Sequence, residues 1–133
     1  MGAEQSRERD LLCVSHTPAQ EMPPAWARVV DEADWRTWSL HQQMDEQLFS
    51  MLQLSPPNFF YLRLSDSLPG SVTLVYGGGN KATFVVKGKK IVVVGGDFQQ
   101  SVSKLLSLDT AVETYLSSRN VTGPFYQVKL AVC

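Results

Sequence analysis

The sequence predicts an α+β fold in which a central antiparallel β-sheet is flanked by two α-helices. Apolar residues recur at helical spacing in two stretches of the sequence. Between these two stretches lie several segments that show the alternating pattern of half-buried strands. A glycine-rich turn at residues 77–80 joins two of these segments as a hairpin. The chain has 133 residues, which is enough for one domain with its own core. We expect this domain over residues 26–133, behind a flexible, proline-containing segment over residues 1–25.

The first helix is predicted over residues 39–54. Apolar side chains recur there every four residues, at Leu40, Met44, Leu48 and Leu52. Ser39 is a suitable N-cap, and the two prolines after Ser55 end the pattern. A short amphipathic turn starting at Trp26 is expected ahead of this helix.

The first predicted strand contains a positively charged residue, Arg63, on a face that could be buried. Alternation places Phe60, Leu62 and Leu64 on one face of this strand and Tyr61, Arg63 and Ser65 on the other. If the second face is buried, an unpaired guanidinium there costs roughly several kcal/mol, so a counter-anion is required. The hydroxyls of Ser65 and Ser67 and a turn rich in N–H groups follow at once. Together these groups form a cradle suited to a dianion.

Three further strands and a second helix complete the predicted fold. Strands are expected over residues 72–76 and 81–87, on either side of the glycine turn. Residues 91–94 form a β-branched run that indicates either a strand buried on both faces or a covered edge. The second helix is predicted over residues 108–117, with apolar side chains spaced i, i+3, i+4 and i+7.

Two of these segments resemble a known family. Residues 60–67 (FYLRLSDS) are similar to the second strand and following loop of SH2 domains, where a strand arginine clamps phosphotyrosine. Residues 105–115 (LLSLDTAVETY) resemble the signature of that family's second helix. The order and spacing of the two motifs also agree, and the resemblance covers residues 35–130. It implies a non-catalytic adaptor or decoy that docks on tyrosine-phosphorylated peptides or receptor tails.

The resemblance also assigns roles to individual residues. Arg63 takes the place of the clamping arginine. The other predicted phosphotyrosine-binding positions are Ser65, Ser67, Thr73, Thr83 and Gln42. Three of the family's usual basic groups are absent, because Gln42 stands for an arginine, Thr83 for a histidine and Val85 for a lysine. Each missing charge-assisted hydrogen bond is worth roughly 1.5–3 kcal/mol, although Lys81 and Lys87 offer alternative charges.

Two functional hypotheses therefore stay open. In the first, the Arg63 pocket binds phosphotyrosine. In the second, the chain is an SH2-like structural or interaction module that does not need phosphotyrosine, and Arg63 satisfies internal acids. Under the first hypothesis, the surface that selects the residues after the phosphotyrosine is predicted to be mostly apolar. Its predicted positions are Phe84, Ile91, Gly95 and Gly96.

The N-terminal residues match a lipidation pattern. The start Met-Gly-Ala-Glu-Gln-Ser fits N-myristoylation at Gly2, although a coincidental Met-Gly start gives the same letters. Because one myristate anchors only weakly, Cys13 is a candidate for palmitoylation, the alternative being a free cysteine in a loose apolar segment. We expect a cytoplasmic protein without a signal peptide. Lipid groups at Gly2 and Cys13 would place it at the inner face of the plasma membrane.

Composition and spacing argue against several other functions. The formal net charge of −1 does not indicate a nucleic-acid-binding surface. The glycine run at 77–79 lacks the order of a phosphate-binding loop. His16 and His41 are expected to be solvated, with no metal-ligand spacing around them. No nucleophile, base or paired-carboxylate arrangement indicates an enzyme, and no cofactor is predicted.

Overall fold

A computed structural model of the chain describes residues 20–102 and 107–130. Its three α-helices are α1 (Glu32–Gln43), α2 (Asp45–Gln53) and α3 (Ser107–Ser118), preceded by a 3₁₀ helix at Pro24–Arg28. Its strands are β1 (Phe59–Leu64), β2 (Val72–Tyr76), β3 (Asn80–Lys87), β4 (Lys90–Val93), β5 (Gln99–Ser101) and β6 (Tyr126–Gln127). The predicted α+β class is confirmed, and the described residues form three flanking α-helices rather than two.

The six strands form one sheet in the order β5-β4-β3-β2-β1-β6. Neighbouring strands are antiparallel except for β6, which pairs parallel to the start of β1. The predicted hairpin between β2 and β3 is confirmed, and all three glycines of its turn have positive φ. Gly79 has an additional constraint, because a Cβ at this position would lie 3.1 Å from the Phe49 ring.

The larger core lies on the sheet face that contains Phe60, Leu62 and Leu64. Helix α3 packs on this face together with three tryptophans, Trp26, Trp35 and Trp38. Two of them also bind backbone carbonyls: Trp26 Nε1 donates to Gly70 O and Trp35 Nε1 to Gln20 O, both at 2.9 Å. Among the described residues, contacts with the larger core thus extend back to Gln20, ahead of the expected domain boundary at residue 26.

A smaller core covers the opposite face of the sheet. It consists of Leu48 and Leu52 from α2 packed on Tyr61 and Val75. The alternation predicted for β1 is thus confirmed, because Tyr61 and Leu62 belong to opposite cores. Both cores bury apolar area, but only the smaller one borders the face that contains Arg63.

The predicted single helix over residues 39–54 is wrong. Helix α1 starts at Glu32 behind the N-cap Asp31, whose side chain accepts from the Asp34 N–H at 2.9 Å. The helical path breaks at Met44, which has φ −106° and ψ 25°. The tryptophans of α1 pack into the larger core, whereas the leucines of α2 pack into the smaller one on the opposite face. The chain must change direction between them.

The β-branched run at 91–94 belongs to an internal strand of the sheet. β4 lies between β3 and β5, with Ile91 and Val93 buried in the larger core and Val92 half-buried on the other face. Val94 follows the strand and is exposed. Neither alternative is therefore met, because β4 is an internal strand of the sheet and only one of its faces is fully buried.

Candidate functional site

Arg63 lies on β1, on the face of the smaller core, and its residue is only 7% exposed. Its guanidinium lies close to two carboxylates: Nε is 3.0 Å from Asp45 Oδ1, and Nη1 is 3.7 Å from Asp66 Oδ2. Nη1 also donates to the carbonyl of Leu64 at 3.0 Å. The counter-anion that burial requires is therefore present within the chain.

The contact between Arg63 and Asp45 has the distance of an ion pair but not the alignment of a hydrogen bond. Nε is fully buried and has no hydrogen-bond partner, although Asp45 Oδ1 is 3.0 Å away. The N–H is consequently not aligned with the carboxylate oxygen. Nη2 has no hydrogen-bond partner among the described residues. Within residues 20–102 and 107–130, this end of the guanidinium is thus the one that could take a further acceptor.

Asp45 is held in place by Tyr61, its neighbour across the smaller core. The Tyr61 hydroxyl donates to Asp45 Oδ1 at 2.6 Å. Burial, and then the hydrogen bond to Asp45, raise the pKa of Tyr61 well above its usual value, so the hydroxyl stays protonated and remains a donor. Asp45 is also the first residue of α2, where the helix dipole favours a negative charge.

Gln42, predicted to bind phosphotyrosine, has its Nε2 directed at the loop after β1. Its Nε2 donates to Asp66 Oδ1 at 2.8 Å and lies 3.4 Å from the carbonyl oxygen of Ser65. Gln42 thereby holds Asp66 on the outer side of the guanidinium. Its role in the structure is to fix the loop that follows β1.

The two predicted serines also organise this loop. Ser65 is buried, and its Oγ accepts from the Leu68 N–H at 3.2 Å and lies 3.4 Å from the Oγ of Ser67. The loop is closed by the Ser65 N–H, which donates to Ser71 O at 3.1 Å. Both hydroxyls therefore lie immediately beyond Arg63, as the sequence predicts, but the Ser65 oxygen already accepts a bond.

The two predicted threonines form a row with Arg63 across the sheet. Arg63 pairs with Thr73 on β2, and Thr73 pairs with Thr83 on β3. The two threonine hydroxyls are 3.4 Å apart. Strands are spaced about 4.8 Å apart, so this polar row extends roughly 10 Å from β1 to β3.

The predicted specificity residues are divided between the two faces. Phe84 and Ile91 are fully buried in the larger core, because alternation turns them away from Arg63, so they line no surface in the structure. Gly95 and Gly96 instead line a cleft of about 290 Å³ at the turn after β4. The apolar lining next to them includes Val85 and Val92, and these are the strand residues on the Arg63 face.

Three residues of this region were missed or misplaced by sequence reasoning. The clustering of acids in the N-terminal half predicts Asp45 on a solvated helical face, but its side chain is only 31% exposed and contacts Arg63. Tyr61 was placed on the correct face without a partner. His41 was expected to be solvated but is fully buried, with Nδ1 2.7 Å from Leu62 O and Nε2 accepting from the Leu130 N–H at 3.0 Å. A carbonyl only accepts, so Nδ1 carries the proton. The only sequence signal was the strand alternation that placed Tyr61 beside Arg63.

No protein-family model, curated protein or solved structure matches the chain. Within residues 20–102 and 107–130, no group of three or more His, Cys, Asp or Glu side chains is arranged to hold a metal ion. In the same ranges no helix is long and apolar enough to cross a membrane. The predicted lipidation positions, Gly2 and Cys13, lie outside the described residues.

Proposed function

We propose that the chain is a non-catalytic, SH2-like interaction module that docks a phosphotyrosine-bearing peptide at Arg63. The observation that carries this proposal is the buried guanidinium, whose Nη2 lacks a partner among the described residues. Guanidinium groups bind phosphate oxygens through pairs of parallel N–H bonds, which neutral side chains cannot replace. The hydroxyls of Ser65 and Ser67, in the loop that follows Arg63, could supply further donors.

The sheet face beyond Arg63 supports an extended peptide as the ligand. From Arg63 on β1 to the cleft beside β4 there are three strand spacings, about 14 Å in total. An extended peptide covers this distance in about four residues. One peptide can therefore place an anionic side chain at Arg63 and an apolar side chain in the cleft lined by Val85 and Gly96.

The charges around the pocket favour weak rather than tight phosphate binding. Asp45 and Asp66 offset part of the Arg63 charge, and Thr83 and Val85 provide no cation. Lys81 shares the Arg63 face through its pairing with Val75, and Lys87 lines the cleft. These two lysines supply further positive charge along the proposed peptide path.

A second candidate function is an interaction module that does not need phosphotyrosine. The observation that favours it is the 3.0 Å contact between Arg63 and Asp45, which already provides a buried cation with a counter-charge. In that case the partner would be recognised mainly at the apolar cleft. Under either function, lipid groups at Gly2 and Cys13 would place the module at the inner face of the plasma membrane.

The two functions differ in a peptide-binding experiment on the full chain. Fluorescence polarisation would compare a degenerate phosphotyrosine peptide pool with its unphosphorylated counterpart. We expect phosphate-dependent binding, roughly micromolar, that Arg63→Ala weakens at least tenfold. Arg63→Lys should also lose most of the binding, because lysine keeps the charge but not the planar fork.

Arg36→Ala is the matched control for this experiment. Arg36 is an exposed arginine on α1 whose ion pair, with Glu32, lies within the same helix. Its removal changes the net charge equally and should leave binding unchanged. If both peptide pools bind equally well and the Arg63 substitutions leave this binding unchanged, the phosphotyrosine proposal is contradicted and the second function is favoured.

A further inference from the structure

The unusual feature of the Arg63 pocket is the way its main carboxylate is held. Asp45 Oδ1 lies 3.0 Å from Arg63 Nε without forming a hydrogen bond to it, and the same oxygen accepts the Tyr61 hydroxyl at 2.6 Å. Of these two contacts, the hydrogen bond that orients Asp45 therefore comes from Tyr61, whereas the guanidinium contacts the carboxylate as an ion pair. The carboxylate thus neutralises part of the Arg63 charge without accepting a hydrogen bond from Nε.

We propose that Asp45 is a built-in counter-ion that sets the ligand affinity of the Arg63 pocket and disfavours dianions relative to monoanions. This inference rests on the proposed function, because it concerns the same anion-binding pocket. A phosphate at Nη2 would approach a guanidinium whose charge is already compensated, and it would also be repelled by the carboxylate. The repulsion grows with the charge of the ligand.

Asp45 is expected to stay in the pocket when a ligand binds. Tyr61 is fully buried, and Leu48 and Leu52 fix the start of α2 against the smaller core. Asp45 itself has a side chain that is only 31% exposed. Moving this carboxylate away would leave the buried Tyr61 hydroxyl without its acceptor, which is costly.

The second carboxylate of the pocket is held much less firmly. Asp66 lies in the loop after β1, its side chain is 75% exposed, and its nearest oxygen is 3.7 Å from Arg63 Nη1. Its hydrogen bond to Gln42 is exposed to solvent. Asp66 can turn towards water when a ligand arrives, so Asp45 is the residue that limits affinity.

The size of the effect follows from charge interactions at this range. An adjacent opposite charge changes the proton affinity of a group by about 10-fold to 1000-fold. Because Asp45 is partly exposed, we expect the lower end of this range. Asp45→Asn should therefore bind a phosphate dianion about tenfold more tightly. Asparagine keeps an oxygen that can accept the Tyr61 hydroxyl.

In the test, the full chain is titrated with two small probes, phenyl phosphate and phenyl sulfate, and binding is measured by NMR at pH 7.5. The phosphate is mainly a dianion at this pH, whereas the sulfate is a monoanion. Asp45→Asn should tighten phosphate binding about tenfold and sulfate binding less, so the ratio of the two affinities rises. A merely structural change would move both affinities together.

Glu46→Gln is the matched control, because Glu46 is the next residue of α2, is exposed, and loses the same charge. It should leave the affinity ratio unchanged. Tyr61→Phe provides a second route if the asparagine variant is unstable, because it releases Asp45 and should also raise phosphate affinity. Equal ratios in Asp45→Asn, Glu46→Gln and the wild type would overturn the counter-ion role.

The same titration separates this inference from the proposed function. If the wild type binds phenyl phosphate through Arg63 but Asp45→Asn binds no better, the counter-ion role is refuted and the function stands. If Asp45→Asn alone binds, in an Arg63-dependent way, the counter-ion role is supported and the wild type acts without phosphotyrosine. If neither binds, both proposals are overturned.

Discussion

His41→Ala should destabilise the protein by about 3 kcal/mol. The imidazole is fully buried and connects α1 to two distant segments, binding Leu62 O at 2.7 Å and the Leu130 N–H at 3.0 Å. Removing the ring leaves the carbonyl of Leu62 buried without a partner, which costs about 2 kcal/mol. The bond from the partly exposed Leu130 N–H adds about 1 kcal/mol. This loss is a substantial fraction of the 5–15 kcal/mol that is typical of a domain.

The measurement is equilibrium unfolding in urea, followed by the fluorescence of the three tryptophans. Gln43→Ala is a suitable control, since Gln43 belongs to the same helix and is exposed. It should change the free energy of unfolding by less than about 0.5 kcal/mol. A cost below about 1 kcal/mol for His41→Ala would refute the two hydrogen bonds assigned to the ring. Arg63 follows Leu62 directly, so the same variant tests how firmly β1 is held beside the pocket.

Two further predictions concern stability. Burial lowers the pKa of His41 despite its hydrogen bond to Leu62, so the unfolded chain binds the proton more readily. The contribution of His41 to the free energy of unfolding should therefore be fully present above about pH 6.5 and be lost as the pH falls through the lowered pKa of the folded state. The urea midpoint of His41→Ala should accordingly depend less on pH than that of the wild type. Leu48→Ala, in the smaller core, should cost about 2–5 kcal/mol, whereas the half-exposed Met51 of the same helix should tolerate alanine within about 0.5 kcal/mol in thermal unfolding. Equal losses at Leu48 and Met51 would contradict the packing assigned to α2.

Features that depend on local periodicity could be predicted from the sequence. The alternation in β1 correctly separated Leu62 from Arg63, because successive side chains of any strand point to opposite faces. The glycine turn before β3 was predictable for a similar reason, since positive φ is inexpensive only for glycine. Helix α3 follows its apolar spacing to within one residue at each end.

Features that depend on which element covers which face could not be predicted in this way. The leucine spacing at residues 40–52 continues through Met44, although the packing of α1 and α2 into different cores breaks the helix there. The helical spacing predicts that His41 is a solvated residue of the first helix, whereas the packing of α1 against β1 buries it. Asp45 meets Arg63 only because α2 starts above β1, and no sequence spacing between a helix and a strand encodes that contact.

Stability alone does not account for an arginine at position 63. The position lies on the same sheet face as Tyr61 and Val75, where an apolar side chain could join the smaller core. Buried ion pairs are often no more stabilising than apolar residues of similar volume, and this one leaves Nε without a hydrogen bond. A buried apolar side chain at this position would leave no such donor unpaired. An anionic ligand at the open Nη2 end would give the guanidinium a further acceptor, which is the role that the proposed function assigns to it.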